Sequence, residues 1–146
     1  MDEQQVATLA AVLESCRARI EAQTSLTRAR SVDSLAGIPD HLQPSSFAAW
    51  PGRTTNVRDT RASSSDTAFD EEITIEIAGR LTVDEIGDLD TLLGNARGVR
   101  IALTNAAWWR SQSIECAEYL SERRRRSGGW VIVSQTYRIR RRGDLG

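Results

Sequence analysis

The chain has no lysine: all 19 of its basic side chains are arginine, set against 20 acids for a formal net charge of −1. Near-neutrality excludes a chain driven as a whole onto nucleic acid or a membrane surface, and leaves room only for a local patch. Without lysine a G-x-x-x-x-G-K-[ST] phosphate loop is impossible, and every positive charge is a planar, permanently ionised fork. Cysteine and histidine are scarce. Cys16 and Cys116 stand far apart, form no C-x-x-C, and are accompanied by one histidine, His41. They read as small buried residues, not as a disulfide or a metal site. No apolar run approaches the roughly 20 residues a spanning helix needs. The opening MDEQQ is acidic where a signal peptide would be basic. G-x-G-x-x-G, a nucleophile elbow, a metal-ligand cluster and a Cys–His pair are all missing. Asp84, Glu85, Asp88 and Asp90 lie close together, but acids belong in the first turns of a helix. These absences predict a cytoplasmic protein without membrane insertion, metal, cofactor or enzymatic activity.

What is present is globular: 146 residues, 40% hydrophobic and 27% charged, enough for one domain or a small domain with an appendage. Val6, Leu9, Leu13, Cys16 and Ile20 recur at alternating spacings of three and four, which predicts a helix with Asp2 at its start. So narrow a seam suits packing onto the rest of the chain, or onto a second copy as a homodimer. Residues 1–38 are read as this helical segment. The stretch from 39 to 70 is rich in Ser, Thr, Pro, Arg and Asp, and reads as a flexible linker with Phe47 and Trp50 as large anchors.

From 71 to 146 the pattern is that of a compact α/β domain. Ile73, Ile75 and Ile77 alternate with polar residues as a strand. Thr82 and Glu85 read as a capping box that opens a helix with Val83, Ile86, Leu89, Leu92 and Leu93 inside, stopped by Gly94-Asn95. Val99, Ile101 and Leu103 suggest a second strand. Ser111 or Ser113 caps a second helix with Ile114, Ala117 and Leu120, and WVIV from Trp130 makes a last strand. The order is β-α-β-α-β, a sheet backed by helices. Charge is uneven: Tyr119 to Gly146 carries eight arginines against two acids. A reading as an arginine-mediated nucleic-acid or acidic-partner binder, through Arg123–Arg126 and Arg138–Arg142, therefore stays open, with weak, nonspecific polyanion binding as its mildest form.

The stretch from Val99 to Val133, with IEIAGRLT before it, resembles the STAS domain of anti-sigma factor antagonists and sulfate transporters. Trp108 or Trp109 holds the apolar place before the family's second helix, Ser111 the serine, Ile114 the leucine, and Gly128-Gly129 the helix end; Arg110 stands where an acid is usual and Ser113 where a glycine is. The resemblance implies a regulatory protein-binding module, not an enzyme. Its partner would be an anti-sigma factor that is also a serine kinase. Ser111 would be phosphorylated at the helix start, and Trp108, Trp109, Arg110, Ser111 and Ser113 would meet the partner. A subunit of a lipid or solute transport complex is the other role such a domain takes.

Overall fold

Thr8 opens the first helix, α1 (Leu9–Gln23), its Oγ1 accepting a hydrogen bond from the Ala11 N–H at 3.1 Å. The computed structural model describes residues 8–29, 44–59 and 67–143, so Val6, the expected cap Asp2 and His41 lie outside the described residues. From Leu13 onward the expected seam holds: Leu13, Cys16 and Ile20 are buried, joined by Val12, and Leu9 is partly buried. After α1 come β1 (Thr27–Arg28), β2 (Ser46–Asp59), β3 (Thr67–Arg80), α2 (Glu85–Ala102), α3 (Ala106–Ser111), β4 (Cys116–Ser127) and β5 (Trp130–Gly143).

The strands form one mixed sheet in the order β1-β2-β3-β5-β4. β1 runs parallel to β2, and the other neighbours are antiparallel. The class is α/β as expected, a sheet backed by helices with a helix at the N-terminal end. Alternation along the strands sends Phe47 and Ala49, Ile73, Ile75 and Ile77, and Val131, Val133, Tyr137 and Ile139 to one face. There they meet Val12, Cys16 and Ile20 of α1, Leu92, Ala96 and Val99 of α2, and Trp109 of α3 in one core. On the other face Ala48, Ala78 and Ile132 make a small cluster with Ala29 and Trp130 beside it.

Within the class, several elements differ from the expected ones. Residues 99–103 are not a strand: α2 runs through Gly94 to Ala102, because Leu92, Ala96, Val99 and Ala102 continue one buried face. That burial outweighs the roughly 1 kcal/mol by which each helical glycine disfavours the helix. Nor does a helix run from Ser111 to Leu120. Ile114, Ala117 and Leu120 match a helical spacing, but β5 offers a sheet edge, and Tyr119 packs on Tyr137 across the ladder with ring centroids 5.4 Å apart. Arg123–Arg126 consequently lie on a strand. Within the stretch expected as a linker, 46–59 form β2 and 67–70 begin β3, since Phe47 and Ala49 need only alternate burial to hold a strand on β3. The start of α2 is capped by Asp84, which accepts from the Gly87 N–H at 3.1 Å. Thr82 instead donates from its N–H and its Oγ1 to Asp88, each at 2.6 Å. Finally, Cys16 is buried as expected, whereas Cys116 is exposed on β4.

Candidate partner-binding edge

The five residues singled out around Ser111 come together, but at the opposite end of a helix from the expected one. Asn105 caps α3, accepting from the Trp108 N–H at 2.9 Å. The six-residue helix then ends in a Schellman arrangement. The Ile114 N–H donates to the Trp109 carbonyl at 3.1 Å, the Ser113 N–H to the Arg110 carbonyl at 3.0 Å, and Ser113 takes a positive φ of 64°. Ser111 is exposed in the last turn, its hydroxyl donating to the Trp108 carbonyl at 2.5 Å. A phosphate there would face the carbonyl, negative end of the helix, so the favourable dipole expected at Ser111 is absent. Arg110 is exposed beside it.

The two tryptophans divide their roles through the helix, not through an extended segment. Trp109 is buried and donates from Nε1 to the Leu103 carbonyl at 2.6 Å. Trp108 lies edge-on to it at 4.7 Å and is half-buried beneath Arg19, whose guanidinium sits 5.0 Å from the ring centroid. Arg19 also donates to the Ala102 carbonyl at the end of α2, at 2.6 Å. This corner is thus a junction of three helices.

The arginine-rich C-terminal stretch is largely matched by acids. Arg138 pairs with Glu118 at 2.6 Å and Arg140 with Asp70 at 2.8 Å. Arg141 pairs with Glu71 at 2.6 Å, with only 13% and 5% of the two side chains exposed. These bridges tie β5 to its neighbours and neutralise the positive charge that a phosphate backbone would seek. The side chain of Arg142 lies outside the described residues.

Arg123–Arg126 differ. All four are exposed, and alternation sends them to opposite faces. On the helix side Arg124 pairs with Glu122 at 2.8 Å and Arg126 with Glu85 at 3.6 Å. On the other side Arg123 and Arg125, opposite Ser134 and Ile132 of β5, have no acidic partner among the described residues. Among those residues β4 closes the sheet on this side, and its outer backbone edge is unpaired. From Ser121 to Ser127 the ladder to β5 is regular, after one irregularity between Tyr119 and Ser121. At the other edge, β1 covers only Ser46 and Phe47; beyond them β2 carries Pro51 and two register shifts, which blunt an edge against pairing.

α2 packs on β3, with Leu92 against Gly79, and reaches β4 through long side chains. Glu85 reaches Arg126, and the Arg100 guanidinium sits 5.4 Å from the Tyr119 ring centroid, so α2 runs antiparallel to β4 on its helix-side face. The lengths match: 15 helical steps from Glu85 to Arg100 cover about 22 Å, and seven strand steps from Arg126 to Tyr119 cover about 23 Å. Buried Gln135 fixes the two together, donating to the Ala96 carbonyl at 2.8 Å and to Glu122 Oε1 at 3.2 Å, while its own Oε1 accepts from the Tyr137 hydroxyl at 2.7 Å. Helical periodicity puts Leu89 and Leu93 on the flank defined by Glu85 and Arg100, with Ile86 at its rim. Ile86 is 79% and Leu89 38% exposed, although both were expected inside. Val83, also expected inside, precedes the helix and is fully exposed. The available signal for this flank was that 86, 89 and 93 cannot share one narrow face with 92, 96 and 99.

No family model matches the chain, and no curated protein matches it. None of its described helices is long and apolar enough to cross a membrane. Among the described residues no group of three His, Cys, Asp or Glu side chains is placed to hold a metal ion.

Proposed function

We propose that the protein is a binding module that takes an extended segment of a protein partner as an added strand along β4. The observation that carries this reading is the regular 121–127 edge, unpaired among the described residues, which side chains of α2 reach from above the sheet. Such an edge supplies main-chain hydrogen bonds for affinity, and the helix flank supplies side-chain selection. The pairing of Arg138, Arg140 and Arg141 with acids takes three arginines out of any phosphate track and leaves Arg123 and Arg125 as a short unmatched pair, which favours a protein partner over a nucleic acid. A partner-switching regulator falls within this class, but the proposal does not draw on Ser111 as its switch. The reading places the protein in the cytoplasm, where the exposed Cys116 thiol stays reduced.

The test is a display selection of random dodecapeptides on the full chain, followed by amide hydrogen exchange of the complexes. Slowed exchange concentrated in 121–127 is the expected result. Selected peptides that protect α1 and α3, and leave β4 exchanging as before, overturn the reading.

A further inference from the structure

The two faces of the β4 edge differ in chemistry, and an added strand would present alternate side chains to each. This inference rests on the strand-addition reading above and specifies the segment that fits. On the helix side the two arginines are already engaged, Arg124 by Glu122 and Arg126 by Glu85. What remains exposed beside them is apolar, Ile86 and Leu89 with partly buried Leu93 behind them, while exposed Arg100 lies farther along the flank over Tyr119. On the opposite face Arg123 and Arg125 are exposed, two residues apart, and neither forms a salt bridge among the described residues; Glu76 of β3, on the same face, is buried behind Ser134, which donates to it at 3.3 Å. From this asymmetry we infer that the edge selects an extended acidic segment in which apolar residues alternate with Asp or Glu, the acids facing Arg123 and Arg125 and the apolar side chains facing α2.

Charge decides between the occupants of the edge. Two copies of this chain joined through 123–126 would set arginine against arginine, and like charges directly opposite one another destabilise a ladder. An acidic strand meets two guanidinium forks instead, each able to grip a carboxylate through two parallel hydrogen bonds. The period is equally specific. A strand places side chains of one face about 6.6 Å apart, which is the spacing of Arg123 and Arg125 along β4, so acids at every second residue meet both at once. A segment with its acids in one block would bring half of them to the apolar flank, where a carboxylate loses water and gains no partner.

Four fluorescein-labelled octapeptides distinguish the outcomes by anisotropy with the full chain: Leu alternating with Asp, Leu alternating with Lys, Leu alternating with Ser, and a four-Leu, four-Asp block. Amide exchange is measured on each complex. The alternating Leu/Asp peptide should bind at least tenfold more tightly than the other three and slow exchange in 121–127, and its affinity should fall with added salt. In the double variant Arg123→Glu, Arg125→Glu the preference should reverse toward the Leu/Lys peptide. That gain cannot come from a variant that has failed to fold. If all alternating peptides bind equally and protect β4, strand addition stands and the acidic selection is overturned. Equal binding by the block peptide overturns the alternation. Tight binding without protection of 121–127, or no binding by any of the four, overturns both readings. Protection of β4 that rises with protein concentration in the absence of peptide makes a second copy the occupant, and overturns the acidic partner.

Discussion

Ser113 closes α3 with a φ of 64°, a left-handed conformation that glycine adopts freely and a residue with a Cβ does not. It holds that conformation because Ile114 and Trp109, on either side of the cap, are both buried in the core. Ser113→Gly relieves the strain at the expense of a more disordered unfolded chain, so the variant should gain up to about 1 kcal/mol, read from the urea midpoint. A loss of stability would show that the serine side chain contributes more than the strain removes. Charged pairs at this scale set the acid limb of stability. The hydrogen bond from the Arg28 guanidinium, helped by Arg28 and Arg17 as nearby charges, holds the Glu14 carboxyl below its ordinary value of 4.5. A carboxyl lowered by folding stabilises fully above that ordinary value, and the stabilisation is lost as pH falls through the lower, folded value. Glu14→Gln should therefore lower stability at pH 7 and flatten its decline on acidification below about 4.5. An unchanged acid limb would mean that the bridge adds nothing in water.

At the scale of elements, α2 shows how burial overrides local punctuation. Gly94-Asn95 is a helix-stop signal, yet the helix continues because Val99 and Ala102 extend the face begun by Leu92 and Ala96. Gly98 has a packing reason, since a Cβ there would come within 3.3 Å of Thr24 Cγ2 at the end of α1. Gly94 has none: a Cβ at that position meets nothing within 4 Å. Gly94→Ala should therefore stabilise the protein by about 0.5–1 kcal/mol, measurable as a raised denaturation midpoint with an unchanged slope. Destabilisation would imply that the helix needs its flexibility there. β4 illustrates the converse ambiguity. Its stretch from Cys116 to Ser127 carries no strong period of its own, and an unpaired edge of β5 decided what it became. That decision turns four arginines that would point all round a helix into two per face of a strand, one pair matched by acids and the other open.

For the whole molecule, the decisive fact is that α1 and the sheet share a core. Val12, Leu13, Ile20, Leu26 and Phe47 are buried in the same cluster as Ile75 and Val133. At roughly 1.5–3 kcal/mol for each buried side chain, these five supply about 8–15 kcal/mol, as much as the entire net stability of a typical domain. The expected division into a helical segment, a linker and a compact domain at 71–146 would let that domain fold alone. With this core, a chain beginning at Ala68 should lose its cooperative thermal transition, and far-ultraviolet dichroism against temperature is the check. A sharp transition in that truncated chain would show that β3, β4, β5, α2 and α3 suffice. Local pattern was enough for α1 and for the isoleucine strand of β3, each of which has a period that few alternatives satisfy. Gly128-Gly129, expected as the end of a helix, is instead the two-residue turn of the β4–β5 hairpin, where Gly128 takes a φ of 61°. Local pattern left Trp108 and Trp109 undivided between core and surface, and gathered Arg123–Arg126 as a cluster without giving their faces. Pairing partners were beyond its reach. Whether Val99 belongs to a strand or a helix, whether Ala117 begins one or the other, and whether Phe47 sits in a linker or a sheet each depended on hydrogen bonds and contacts to residues distant in the chain. The same long-range pairing left β4 at the edge beside α2, and so created a binding surface that no local stretch of sequence contains.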